Sequence, residues 1–375
     1  MKILIDARLY GLENAGLGRY LINLISSLQK IDKRNEYVII LRKKYFNELN
    51  FDRNFKKVLF DVGHYSIAEQ FKFPAVIKKE NPDLVYYPHF NVSVFCRKPF
   101  VVTIHDLLMH KQKGREVTTL PIPIYFFKRL FYKFIFGVAV KKSIKIVVPS
   151  NYVKKEVIDY YHITEEKISV CYEGVSFNEE DELGSDNFLK KNKIVFPYLL
   201  YVGNAYPHKN LKRAIDAIAS LQKERKINFL IVSARSVFFE RLNKYIQNNN
   251  HSNFVKVLNF VPDKDLMTLY KKSKGFLYPS ISEGFGLQGL EAMIQKTPCL
   301  VSDIEVFKEI YKDNVIYFDP KDVKSIRSAI ERLLDLDQVK KVQMTSKAYE
   351  FAKNYSWDKM ARTILKIYED SVSLR

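Results

Sequence analysis

Cysteine is scarce in this chain of 375 residues: Cys96, Cys171 and Cys299 stand far apart, and no CxxC pair occurs. That removes the usual ligand spacing for a zinc site and the raw material for a disulfide framework. It suits a reducing compartment. Long apolar runs are missing too. None approaches the roughly 20 residues that span a bilayer, so no transmembrane helix is expected. The opening Lys2-Ile3-Leu4-Ile5-Asp6 reads as a first strand and not as a signal peptide. Acidic side chains are in deficit, 42 against 61 basic ones, a net charge of +19. Such an excess favours an anionic partner: nucleic acid, anionic lipid or a phosphorylated ligand. No RNA- or DNA-binding module motif accompanies it. Low-complexity tracts and short-period repeats are absent as well.

What is present is alternation. Short apolar runs at Ile3–Asp6, Tyr37–Leu41, Leu84–Tyr87, Phe100–Ile104, Ile144–Val148 and Ile168–Cys171 read as strands, with helical patterns such as Leu17–Lys30 and Tyr152–Tyr161 between them. Ser176 to Asn192 is polar, acidic and turn-rich, and reads as a linker. The alternation then restarts with strands Leu199–Val202, Phe229–Val232, Val255–Leu258, Phe276–Tyr278 and Leu300–Ser302 and helices Leu211–Lys223, Leu266–Ser273 and Leu287–Gln295. Strand–helix alternation predicts parallel sheets covered on both faces. The expected organisation is α/β, with Rossmann-like domains at 1–175 and 193–356, a linker at 176–192 and a last helix from Trp357. Ligands of such sheets bind beyond the carboxyl ends of the strands.

Four segments fall at those ends. Gly11-Leu12-Glu13-Asn14-Ala15-Gly16-Leu17-Gly18 follows the first strand, and Gly16 and Gly18 permit a sharp turn and close approach of a ligand. Leu21 stands where a dinucleotide fingerprint has its third glycine, so NAD is not expected; an ordinary strand–helix turn is the plain alternative. His105-Asp106 ends a strand, and its imidazole suits a sugar or acceptor hydroxyl; a structural histidine, or a metal ligand with His110, are the other readings. In Gly203-Asn204-Ala205-Tyr206-Pro207-His208-Lys209-Asn210 the lysine is placed to meet phosphate oxygens. The strongest signal is Glu283-Gly284-Phe285-Gly286-Leu287-Gln288-Gly289-Leu290-Glu291. There a glycine turn opens a helix, where backbone amides and the helix dipole favour a diphosphate. Glu283 stands before that point and Glu291 about one turn after it. The triplets Asp263-Lys264-Asp265 and Asp335-Leu336-Asp337 read as a helix start and a helix end, not as a metal site.

Lys111 to Lys155 holds eleven Lys or Arg and one acid, Glu116, a net +10, and is rich in Phe and Tyr. It reads equally as an amphipathic helix on anionic lipid or as a buried helix with a solvated basic face.

Together the Glu283–Glu291 motif, the Lys209 loop, the early glycine loop, Val148-Pro149-Ser150 and His105-Asp106 resemble the family 4 retaining glycosyltransferases of the GT-B fold, in order along nearly the whole chain. The resemblance implies two facing Rossmann-like domains with a cleft between them, acceptor on the first and nucleotide-sugar on the second. It also implies a last helix, 357–375, that crosses back to the first domain. It implies Lys209 on the donor diphosphate, Glu283 and His105 at the transferred sugar and Glu291 on the ribose. The amides of Phe285, Gly286 and Leu287 would sit on the diphosphate, Gly16 and Gly18 in a loop near it, and Phe260 and Val261 near the base. Asn204 stands where many members carry an arginine; His208 and Arg213 are the neighbours able to compensate. The Pro-x-Lys-Asn loop is similar to that of mannosyl and related transferases of surface polysaccharides. The expected reaction is transfer of a hexose from a nucleoside diphosphate sugar, GDP-mannose first and a UDP-sugar next, to a glycan or lipid-linked acceptor with an α-linkage. No metal or other cofactor is expected. The expected setting is the cytoplasm, with peripheral attachment to the inner membrane face through 111–155 as an option. A nucleotide-sugar epimerase or a non-catalytic binding protein of the same fold are the rival readings.

Overall fold

The computed structural model describes residues 1–111, 118, 120–176 and 186–373. Of the basic segment, Lys113, Arg115 and Glu116 lie outside these residues, as do 177–185 of the expected linker. The chain divides into two compact units. Unit 1 comprises Met1–Gln112, Leu120–Gly174 and Tyr355–Arg375; unit 2 comprises Lys113–Thr119 and Val175–Asn354.

Unit 1 is built on seven parallel strands: β1 (Lys2–Asp6), β2 (Glu36–Leu41), β3 (Phe55–Leu59), β4 (Leu84–Tyr87), β5 (Phe100–Thr103), β6 (Lys145–Val148) and β7 (Ile168–Val170), in the order β3-β2-β1-β4-β5-β6-β7. β1 pairs in register with β2 (Ile3 opposite Tyr37) and with β4 (Ile3 opposite Leu84). Its central strands are apolar at nearly every position because helices cover both faces. On one face Phe73 and Ile77 of helix Ile67–Glu80 pack with Tyr132, Ile135 and Phe136 of helix Ile122–Lys142. Against helix Ala15–Ile31 lies the last helix, Trp357–Ser373. Ser27 donates to Asp358 Oδ1 (2.6 Å), and the Tyr368 ring meets Tyr86 edge-on at 5.2 Å.

Unit 2 repeats the plan with six parallel strands: β8 (Tyr198–Val202), β9 (Asn228–Val232), β10 (Val255–Leu258), β11 (Gly275–Tyr278), β12 (Cys299–Ser302) and β13 (Ile316–Phe318), in the order β10-β9-β8-β11-β12-β13. Two strands escape the sequence pattern, β3 and β13. Both are edge strands, one carrying Lys56 and Lys57 and the other only three residues long, so neither shows a long apolar run. The segment read as a linker is also not all irregular: Asp186–Lys191 is helical, with Leu189 buried.

Candidate active site

Each sheet reverses its strand order once, between β1 and β4 in unit 1 and between β8 and β11 in unit 2. Loops leaving the carboxyl ends of such strand pairs diverge and leave room for a ligand. In unit 2, Lys209 comes from the loop after β8 and Glu283 from the loop after β11. Lys209 Nζ lies 2.5 Å from Glu283 Oε1, with the side chains only 13% and 10% exposed. Burial pushes the Glu283 carboxyl up, but the charges of Lys209 and then His208 and the Lys209 hydrogen bond outweigh it, so the acid is held below its usual range. Asn210 fixes the lysine loop. It takes a left-handed backbone (φ 58°), and its amide donates to the carbonyls of Pro279 (3.0 Å) and Pro320 (2.7 Å), joining the loops after β8, β11 and β13.

The glycine turn opens helix Leu287–Ile294. Gly286 has φ 103°, and a Cβ there would come within 2.4 Å of Tyr311 Oη, so both backbone and space require glycine. Tyr311 Oη in turn donates to the Gly286 carbonyl. The amides of Phe285, Gly286 and Leu287 thus belong to a helix start of fixed geometry. Glu291 lies one turn into the helix, half-buried, where Tyr270 Oη donates to its Oε2 (3.3 Å). Phe260 is exposed and Val261 buried at the end of edge strand β10, two strands from β8. Asn204 is half-buried after β8, and its carbonyl accepts from Tyr201 Oη (2.9 Å). The two neighbours read as able to compensate for it differ in charge. Burial, then the Lys209 charge, lowers His208 to about 4, and Arg213 Nη1 donates to Asn210 Oδ1 (2.8 Å).

Unit 1 corrects the reading of its glycines. The helix begins at Ala15, so Gly16 and Gly18 lie in its first turns and not in a loop. The turn residue is Gly11 (φ 118°). Gly18 is needed for packing: a Cβ would sit 1.8 Å from the Gly11 carbonyl oxygen, whereas Gly16 is exposed with open space around it. His105, two residues beyond β5, has Nε2 2.9 Å from the Pro88 carbonyl and Nδ1 3.3 Å from Glu173 Oε1. His110 does not join it, being bonded to the hydroxyls of Tyr132 (2.7 Å) and Tyr161 (2.8 Å). Of the Asp-x-Asp triplets, Asp263 starts a helix, Asp335 pairs with Arg225 (2.6 Å) and Asp337 caps helix Gln338–Ala352 through the Lys340 amide (2.8 Å).

A charged cluster at the β1–β4 reversal was missed in the sequence. Arg8 is fully buried; its Nε and Nη2 bind Asp6 Oδ1 (2.7 Å) and Oδ2 (2.6 Å), and Nη2 also binds Glu69 Oε1 (2.5 Å). Asn91 donates to both Glu69 oxygens (2.9 and 3.1 Å). Asp6, His64 and Glu69 place ligand atoms within 4.8 Å of one another, and the one Arg8 guanidinium binds both carboxylates. The visible signal was an acid–arginine pair at a strand's end, Asp6 and Arg8. Glu69 and Asn91 gave none.

Residues 15–179 match the profile described as Glycosyltransferase Family 4, and residues 185–351 the profile described as Glycosyl transferases group 1. The chain belongs to glycosyltransferase family 4. It is therefore an enzyme of glycosyl transfer, and its two parallel-sheet units are those of the GT-B fold class. It is 27% identical over 370 residues to the O-antigen chain mannosyltransferase RfbU of Salmonella typhimurium, covering 94% of this chain and 96% of that one. Among solved structures it resembles a sucrose-phosphate synthase from Thermosynechococcus elongatus (TM-score 0.78, 17% identity, 100% and 99% coverage). It also resembles Anabaena HepE in complex with UDP-glucose (TM-score 0.74, 17% identity, 99% and 100% coverage). No helix among the described residues of this glycosyltransferase is long and apolar enough to cross a membrane.

Proposed function

We propose that this glycosyltransferase moves a hexose, mannose from GDP-mannose first and the sugar of a UDP-sugar next, to a hydroxyl of a glycan or lipid-linked acceptor with the α configuration retained. The observation that carries the reading is the Lys209–Glu283 pair at the β8–β11 reversal, beside the Gly286 helix start. The full-length likeness to an O-antigen mannosyltransferase supports mannose. In this reading the Lys209 ammonium and the amides of Phe285, Gly286 and Leu287 take the charge that builds on the departing diphosphate. In the same reading Asn204 is a further donor contact, Glu291 holds the ribose, and Phe260 and Val261 are near the base. Glu283 steadies the positive charge growing at the anomeric carbon, with His105 as the sugar contact of unit 1. The leaving phosphate accepts the acceptor's proton on the same face. With this ammonium and these amides in place no divalent ion is required, and turnover should survive a chelator. Strict dependence on Mg²⁺ or Mn²⁺ would remove that part of the scheme. A thermal-shift series of nucleoside diphosphates and their sugars tests the donor, because a ligand of the native state raises its melting temperature. No shift with any guanosine or uridine compound overturns the assignment. Product analysis with donor alone separates transfer from epimerisation.

The lipid-linked acceptor and an anionic membrane surface draw support from helix Ile122–Lys142. Its inner face fills the core, yet Phe126, Phe127, Leu130 and Phe134 on the outer side are 57–72% exposed. The same helix carries Lys128, Arg129, Lys133, Lys141 and Lys142 and no acid. A helix of an ordinary soluble protein turns polar residues outward; aromatics among cations fit an anionic lipid interface. Pelleting with vesicles of anionic and of neutral lipid tests this, and absence of binding to both ends it.

A further inference from the structure

We infer that Glu173 is a positioning residue that holds His105 as a doubly protonated imidazolium. The inference rests on the reading of His105 as a residue of the active site. Both ring nitrogens of His105 face groups that only accept: Nε2 the Pro88 carbonyl at 2.9 Å, Nδ1 the Glu173 carboxylate at 3.3 Å. A neutral imidazole has one N–H and one lone pair. Either tautomer would turn a lone pair on an acceptor oxygen, in a place where the two side chains are only 16% and 12% exposed. A second proton on the ring satisfies both contacts and makes an ion pair with Glu173.

The surroundings act in the same direction. Burial, the largest influence, pulls the His105 pKa down, but the bond and charge of Glu173, the Pro88 carbonyl and the charge of Asp106 together raise it above its ordinary value. The other groups facing the ring bring no competing charge at neutral pH. Tyr20, from helix Ala15–Ile31, meets it edge-on at 5.0 Å and has its own pKa driven far up by burial. His89, after β4, is pushed down to about 3, by burial first and the His105 charge next, and stays neutral.

Glu173 is itself fixed in place. It follows β7, and the next residue, Gly174, lies so close to the start of the last helix that a Cβ would come within 2.1 Å of the Trp357 nitrogen. With both N–H groups engaged, the ring is locked in orientation.

The test compares wild type with Glu173→Gln and His105→Ala. Glu173→Gln keeps size and an acceptor oxygen but removes the charge. Long-range ¹H–¹⁵N spectra should show both His105 nitrogens protonated at pH 7 in wild type. In Glu173→Gln that signature should retreat to lower pH. The alkaline fall in kcat/KM with GDP-mannose should move down by about one pH unit, while the circular dichroism spectrum is unchanged. A singly protonated His105 at pH 7 in wild type, or an unmoved pH profile in Glu173→Gln alongside an inactive His105→Ala, overturns the role of Glu173 alone. Full activity of His105→Ala overturns the reading of His105 as a site residue, and this inference with it.

Discussion

The two units share one topology and use its ligand position differently. At the β1–β4 reversal of unit 1, a buried arginine is saturated by Asp6 and Glu69. At the β8–β11 reversal of unit 2, one lysine meets one glutamate beside a glycine-opened helix. Sheet order alone therefore does not fix which charges stand at the reversal. What differs is the cation: in unit 1 one guanidinium fork is held by two carboxylates, and in unit 2 one ammonium meets one carboxylate. Lys209 is a flexible point charge, able to turn from a carboxylate to a phosphate, whereas the Arg8 fork is committed to fixed geometry.

If that contrast holds, Arg8→Met should be the most damaging change to stability. It strands two buried carboxylates, and breaking such a network costs about 3–5 kcal/mol. Chemical unfolding should show the loss in unit 1, while nucleotide binding by unit 2 persists in the protein that stays folded. Glu283→Ala should do the opposite, lowering turnover by about 10²–10³-fold with little change in unit 1 unfolding. Wild-type turnover in this variant would place Glu283 outside the reaction. Lys209→Ala should weaken nucleoside diphosphate binding in calorimetry by roughly 10- to 100-fold, the size of a charge-assisted hydrogen bond. Unchanged affinity would erase the distinction between the two reversals.

Acid sharpens the comparison less strongly. The folded Glu283 pKa lies below its ordinary 4.5. The stability it contributes is therefore present above that value and lost as pH falls through the folded one. The same sign applies to Asp6, whose carboxyl burial pushes up but Arg8 pulls further down. Unit 2 should thus lose melting temperature below about pH 4.5 and unit 1 below about pH 3.8, and Arg8→Met should remove the contribution from unit 1 only. The smallest effect concerns the outer face of helix Ile122–Lys142. Phe126→Ser with Phe127→Ser should reduce pelleting with anionic vesicles severalfold, in line with the lost apolar area, and leave the melting temperature unmoved because neither ring is in the core.

Much of the candidate site in unit 2 was legible in the sequence. Strand, glycine and acid follow one another within one stretch of chain, and local chemistry dictates their relation: Gly286 must be glycine, and Glu291 must fall one turn into the helix. The loop after β1 was legible only as a glycine-bearing junction. Gly18 was read for a ligand when it serves the Gly11 carbonyl, because sequence shows spacing but not which backbone passes nearby. His105 was found from its place at a strand end, while its partner Glu173 lies 68 residues away and gave no sign of the pairing.

By itself the sequence determined the α/β alternation, the family and the candidate donor residues, since these depend on periodicity and on contiguous motifs governed by local backbone geometry. Tertiary structure decided which charges meet. It brought Lys209 to Glu283 across 74 residues and Arg8 to Glu69 across 61. It also set two acceptors against the two nitrogens of His105. Those pairings follow from strand order and burial, and both emerge only when the sheets have formed and removed the side chains from water.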